Sequence, residues 1–202
     1  MNTPIEYASK ALDYVLEHIK PTNSYNKRLP GHDSHHNTIG SRLFEMRNEF
    51  DIKNYQKDTF IDAGLISLEW GIGNCTENAC AALAYLENEC GYHDVDIVVL
   101  KNIDHTFVVV GASLQKTYPD PAEALQQRYP DAFEAWHPNV AICDPWAEIA
   151  TLAINYPEKW RAQMRNWRTM NMQLYLSYSR IYPPTGPYWY NAPGEKKLSN
   201  LR

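Results

Sequence analysis

The feature that most constrains this chain is Gly71-Ile72-Gly73-Asn74, followed by residues 75–89, an Ala- and Leu-rich run without Gly or Pro. A breaker cluster ahead of strong helix formers predicts a loop feeding a helix, with Cys75 as the helix's first residue at the loop mouth. Cys75, Ala79, Ala82, Leu83 and Leu86 fall on one face, and the small alanines near Cys75 let a sheet approach closely. Two β-branched runs follow, residues 95–100 and 106–110, joined by Lys101-Asn102-Ile103-Asp104, and they read as an antiparallel hairpin. A third apolar run, residues 140–143, stops at Asp144-Pro145, where a helix is expected to start with Asp144 as cap and the proline in its first turn. The expected fold class is α+β, a central Cys-bearing helix packed on a small antiparallel sheet with extra flanking helices.

The flanks carry weaker signals. Ile5, Ala8, Leu12, Val15, Leu16 and Ile19 recur at helical spacing, so an amphipathic helix is expected to end before Pro21. Residues 22–38 have no apolar period and read as an exposed loop. His32, His35 and His36 lie in it, and clustered histidines in a polar loop read as solvated rather than as metal ligands. Leu43, Phe44, Arg47 and Phe50 suggest a short helix, and Phe60 to Leu68 another running toward Trp70. Between the second and third strands, residues 113–139 read as an insertion. It has its own helix start at Asp120-Pro121-Ala122-Glu123 and is placed to overhang the Cys75 region as a lid. In residues 158–202, Trp160, Met164, Trp167 and Leu174 mark a later helix set off by Pro157. The Pro- and aromatic-rich tail, residues 181–194, is expected to lack regular helix and to wrap the surface.

Composition excludes several classes. With 202 residues and 44% hydrophobic content, one domain over residues 1–202 is expected. A formal charge of -5 supplies no basic patch for nucleic acid. No apolar run approaches the roughly 20 residues of a membrane span, and the first residues lack a signal-peptide pattern. A cytoplasmic location, or delivery by a signal-peptide-independent route, is the expectation. The cysteines at 75, 80, 90 and 143 form no CxxC pair, so they read as free thiols, and neither a metal nor a cofactor is expected.

Three residues then read as one chemical unit. A helix N-terminus beside an imidazolium stabilises a thiolate, and Cys75 opens a helix. His105, where the second strand begins, can take the thiol proton and return it to a leaving group if a third residue orients its ring. Strand alternation puts His105 on the face of Phe107 and Val109 and turns Asp104 away. The same parity groups Asp144 with Val140 and Ile142 and turns Cys143 into the core. Asp144 is therefore the expected orienter, although an Asp before Pro is also a common helix cap.

GIGNCTENACAALAYL, DHTFVVVG and VAICDPWA, within residues 70–147, resemble the three motifs of the papain-like and transglutaminase-like cysteine enzymes. The likeness is to bacterial members, among them effectors delivered into host cells that act as proteases, glutamine deamidases or transglutaminases. It implies Cys75 as nucleophile, His105 as general base and acid, and Asp144 as orienter. It also implies a protein or peptide substrate, a host protein if the chain is exported. The chain departs from papain-type proteases at Glu69, which stands where they carry an oxyanion-hole Gln six residues before the nucleophile. The Arg-Gly-Gly-x-Cys run of arylamine N-acetyltransferases is also absent, with Gly71-Ile72-Gly73-Asn74 in its place. The Cys75 N–H can supply one oxyanion donor, and Asn74 is the candidate for a second. The expected reaction is acyl transfer from an amide, with water as the preferred acceptor because an amine needs a dedicated second site. A transglutaminase is the alternative within this chemistry, and a non-catalytic interaction module on the same fold is the alternative outside it.

Overall fold

The computed structural model describes residues 2–50, 57–100, 103–115, 129–177, 180–194 and 198–201. The first part of the chain forms α1 (Pro4–His18), β1 (Lys27–Arg28), α2 (Asp33–Arg47), α3 (Lys57–Trp70) and α4 (Cys75–Ala84). The strands β2 (Val95–Leu100), β3 (His105–Val110), β4 (Ala141–Asp144) and β5 (Ile149–Leu152) follow. The chain then forms α5 (Tyr156–Thr169), β6 (Gln173–Ser177), β7 (Arg180–Tyr182), α6 (Pro187–Tyr190) and β8 (Leu198–Leu201). The class is α+β with two antiparallel sheets, one of five strands in the order β5-β4-β3-β2-β8 and one of three in the order β1-β6-β7.

Alternation along β3 and β4 divides the interior in two, because successive side chains leave opposite faces of a sheet. Val108, Val110, Ala141 and Cys143 join the alanines of α4 and the apolar stripe of α1 in one cluster. Phe107, Val109, Val140 and Ile142 join Trp146, Tyr156, Trp160, Met164 and Trp167 in the other, which also takes in Cys75. The N-terminus of α4 therefore reaches the aromatic side of the sheet while the helix body serves the opposite side.

Helix α4 starts where the breaker cluster ends, and its run continues through a π-helical turn at Tyr85–Glu89. The Asn74 side chain accepts from the N3 backbone N–H, and Glu77 Oε2 accepts from Asn74 N at 2.9 Å, a reciprocal cap on two orphan donors. Gly64 of α3 lets the neighbouring helix come close, since a Cβ there would lie 2.2 Å from the Cys80 carbonyl oxygen. The expected hairpin forms, with Leu100 opposite His105.

Four expectations are corrected. Residues 22–38 are not one loop: β1 lies within them and α2 begins at Asp33. The buried face of α2 is His36, Ile39, Leu43 and Met46, so a histidine occupies the first position of the stripe and hides the helical period. Asp144-Pro145 starts no helix; residues 145–148 form a tight turn into β5, with Glu148 at φ 61°. Helix α5 takes Pro157 into its first turn and ends before Leu174, which pairs with Lys27 across β6 and β1. The tail contains the short helix α6, and its Trp189 is buried against Trp146 and Trp160 instead of lying on the surface.

The helix start expected at 120–123 lies outside the described residues. The end of the same insertion is core: Phe133 and Trp136 are buried, and the Phe133 ring lies 5.4 Å from Tyr156. Among the described residues, no helix is long and apolar enough to cross a membrane.

Candidate active site

Register brings the two strand residues together. Val108 pairs with Cys143 and Val109 with Ile142, so Asp144 falls opposite Phe107, one same-face step from His105. His105 Nε2 and Asp144 Oδ2 are 2.7 Å apart, and the two side chains are essentially without solvent exposure. Asp144 Oδ2 also accepts from Tyr156 Oη at 2.6 Å, and Oδ1 accepts from Ala147 N at 3.0 Å. The carboxylate thus orients the imidazole with one oxygen and closes the turn after β4 with the other.

Cys75 meets this pair from the start of α4 and is 6% exposed, against 1% for His105 and 0% for Asp144. Its Sγ–H donates to the Asp104 carbonyl at 3.5 Å, the residue that turns the hairpin at φ 50°. Asp104 itself is exposed, because it lies in the turn ahead of β3 and not in the strand. Thr76 and Thr106 hydroxyls, 3.1 Å apart, tie the first turn of α4 to β3 beside His105. Burial works against the charged form of His105, but the Asp144 carboxylate, its hydrogen bond and the neighbouring Cys75 outweigh it and lift the ring to about 9. A buried imidazole that holds its proton through neutral pH is suited to stand beside a thiolate and to protonate a leaving amine.

The loop ahead of Cys75 is held by a polar network. Asn74 Oδ1 accepts from Ser24 Oγ at 3.2 Å and from Asn26 N at 3.1 Å, and Ser24 Oγ accepts from Trp146 Nε1 at 3.0 Å. Asn78 Nδ2 donates to the carbonyls of Gly73 and Asn74 at 2.9 and 2.8 Å. The oxygen of Asn74 is therefore committed to its cap, and its Nδ2 is the atom with donor capacity left. The buried Glu77 is bound by Arg47, with Nη2 2.6 Å from Oε1, which offsets a negative charge two residues from the thiol. Glu69 is exposed on α3, so the carboxylate in the papain glutamine's sequence position stands outside the buried triad.

Several site residues escaped the sequence reading. Tyr156 is fully buried, and burial followed by the Asp144 charge drives its phenol well above the usual tyrosine range, fixing it as a donor. Trp146 and Trp160 flank the His105 ring, both with centroids 4.9 Å away. Trp160 belongs to the core cluster and is also a wall of the site. Trp146 lies in the turn after β4, where the period of two no longer applies, and nothing in the sequence marked it. Lys27 was unmarked as well. Its side chain is 2% exposed, with Nζ 4.9 Å from the Trp146 ring centre, 4.5 Å from that of Trp167 and 3.7 Å from Glu148 Oε1. Burial lowers its ammonium to about 8 against the opposing pull of Glu148, Asp144 and Cys75.

The three other thiols are placed differently. Cys80 and Cys143 are fully buried, and burial pushes both well above the ordinary thiol value, while Cys90 is half-buried past the end of α4. The clustered histidines separate: His32 and His35 are exposed, whereas His36 Nε2 meets the Tyr25 carbonyl at 2.9 Å. Among the described residues no group of three or more His, Cys, Asp or Glu side chains is arranged to hold a metal.

Comparison with known proteins found no matching family model, no matching curated protein and no matching solved structure.

Proposed function

We propose that Cys75, His105 and Asp144 are the catalytic triad of a cysteine-dependent acyl-transfer enzyme with a papain-like or transglutaminase-like fold, acting on an amide of a protein or peptide. The observation that carries the proposal is the buried 2.7 Å contact of His105 Nε2 with Asp144 Oδ2, beside a thiol at a helix N-terminus. Because Nε2 faces Asp144, Nδ1 is the nitrogen left to exchange a proton with Cys75.

In the reactive pair the ring already carries at Nδ1 the proton that Cys75 has given up, and rotation of the sulfur from the Asp104 carbonyl toward Nδ1 sets the thiolate beside the imidazolium. The thiolate attacks the substrate carbonyl carbon, forming a C–S bond and placing the electron pair on oxygen. The Cys75 N–H, an orphan donor of the first helical turn, and Asn74 Nδ2 are the candidate donors to that oxyanion. Collapse breaks the C–N bond, the imidazolium gives its proton to the departing nitrogen, and a thioester remains. A water then loses a proton to His105 and attacks the thioester, releasing a carboxylate and restoring the thiol. A backbone amide makes this a protease and a glutamine side chain a deamidase; an amine in place of water makes it a transglutaminase.

The reading is tested with an activated ester as acyl donor, followed by intact mass and peptide mapping. The expected product is one hydroxylamine-sensitive acyl group on Cys75, absent in Cys75→Ala and strongly reduced in His105→Ala. No adduct, or one confined to Cys90, overturns the reading.

A further inference from the structure

Asp144 Oδ2 carries two donors, His105 Nε2 at 2.7 Å and Tyr156 Oη at 2.6 Å, and all three side chains are buried. The Tyr156 ring enters from the start of α5 and is packed by Phe107, Phe133 and Trp160, with centroids 5.1, 5.4 and 6.0 Å away. Burial and the adjacent carboxylate keep its phenol protonated. The O–H dipole therefore points its positive end at the same oxygen that faces the imidazole.

That hydroxyl acts on His105 in two opposing ways. As a tether, it holds Oδ2 against Nε2 and favours the imidazolium. As a dipole, it takes up part of the carboxylate charge that the ring otherwise feels, and so disfavours the imidazolium; low local polarity strengthens this effect. The tether is redundant, because Ala147 N holds Oδ1 at 3.0 Å and Asp144 is fixed in β4 opposite Ile149 of β5. The dipole has no such substitute. Cys75, from the start of α4, is the other titratable side chain acting on the ring, and its charge favours the imidazolium. Lys27 and Glu148 lie behind the Trp146 ring, the Asp104 side chain is exposed in the hairpin turn, and Cys143 leaves the opposite face of the sheet. The dipole effect therefore prevails over the tether.

We infer that Tyr156 is a positioning residue that limits the proton affinity of His105 by sharing Asp144 Oδ2, so that one imidazole serves both halves of the reaction. In the first half the ring stands protonated beside the thiolate. In the second it must be neutral: Nδ1 takes a proton from water as the water oxygen bonds to the thioester carbon, and the C–S bond breaks with its electron pair on sulfur. A ring that held its proton more tightly would be in the wrong state for that step. The part played in acyl transfer rests on the function proposed above; the effect on the ring does not.

The test titrates the His105 ring by NMR in the full chain, its signal assigned by its loss in His105→Gln. Tyr156→Phe keeps the packed ring and removes the hydroxyl, and the midpoint should rise by about half a unit or more, cutting the neutral fraction near neutral pH about threefold. A tyrosine fluorinated beside its hydroxyl, placed at position 156, is a stronger donor of nearly the same size and should lower the midpoint. An unchanged or lower midpoint in Tyr156→Phe, or a fluorinated chain that titrates with or above the parent, overturns the inference; a packing role alone moves neither. With the activated ester, the acyl group on Cys75 should persist longer near neutral pH in Tyr156→Phe than in the parent. An equal or shorter lifetime overturns the part given to Tyr156 in the reaction. Failure of the parent to form the acyl group counts against the acyl-transfer reading instead, and the ring titration still decides whether Tyr156 limits His105.

Discussion

Asp144 Oδ2 accepts from His105 Nε2 and Tyr156 Oη in a place closed to water, and Oδ1 holds the turn that leads into β5. Two readings of this residue, turn cap and ring orienter, are thus served by two oxygens of one carboxylate. The negative charge is the largest influence lifting His105 against its burial, so Asp144→Asn leaves chiefly Cys75 to oppose burial. Titration of the His105 ring by NMR is expected to fall from about 9 in the parent toward the ordinary histidine value of 6.5 in Asp144→Asn. A ring that still titrates near 9 would mean that another group holds the proton. Tyr156 stands in the helical period of Trp160, Met164 and Trp167, but its hydroxyl's partner was not legible, because only folding brings the start of α5 to Asp144.

The elements divide by how local their causes are. Helix α4, the β2–β3 hairpin and the alternation of β3 and β4 follow from breakers, β-branched runs and a period of two, and those are the features that place Cys75, His105 and Asp144 near one another. What could not be read is where a long-range partner replaces a local rule. His36 stands in an apolar stripe because the Tyr25 carbonyl receives its ring nitrogen, and Lys27 is buried because two indoles and Glu148 surround it. Gly64 is of the same kind, a residue whose lack of a side chain is set by the helix beside it. Gly64→Ala places a methyl against the Cys80 carbonyl, where backbone must move. A loss of roughly 3 kcal/mol is expected, seen as a fall in Tm of about 6–12 °C for a chain of this size. An unchanged Tm would contradict the close α3–α4 approach that seats the body of α4.

At the scale of the whole molecule, the buried imidazole links stability to pH. His105 has a folded value of about 9 against 6.5 in a free ring, so the native state binds its proton more tightly. Its contribution is complete below pH 6.5 and is lost as pH rises through about 9. Lys27 acts in the opposite sense, but only above its folded value of about 8, where its lowered ammonium relieves the folded state. Between those limits His105 dominates, and stability is expected to fall by roughly 2 kcal/mol from pH 6.5 to pH 8. Urea denaturation should record that fall in the parent, and a His105→Gln chain should lack it.

The central claim is that Cys75 is activated by His105. It is tested most directly by iodoacetamide labelling across pH, with the rate at each cysteine read by peptide mapping in the parent and in His105→Ala. Cys90 is the informative comparator, because it is more exposed than Cys75, whereas Cys80 and Cys143 are buried and have raised thiol values. The account predicts that Cys75 labels faster than Cys90 near neutral pH despite its 6% exposure, and that the lead disappears in His105→Ala. If exposure alone sets the order, so that Cys90 labels first, or if the lead of Cys75 survives loss of His105, the proposed thiolate–imidazolium pair is contradicted.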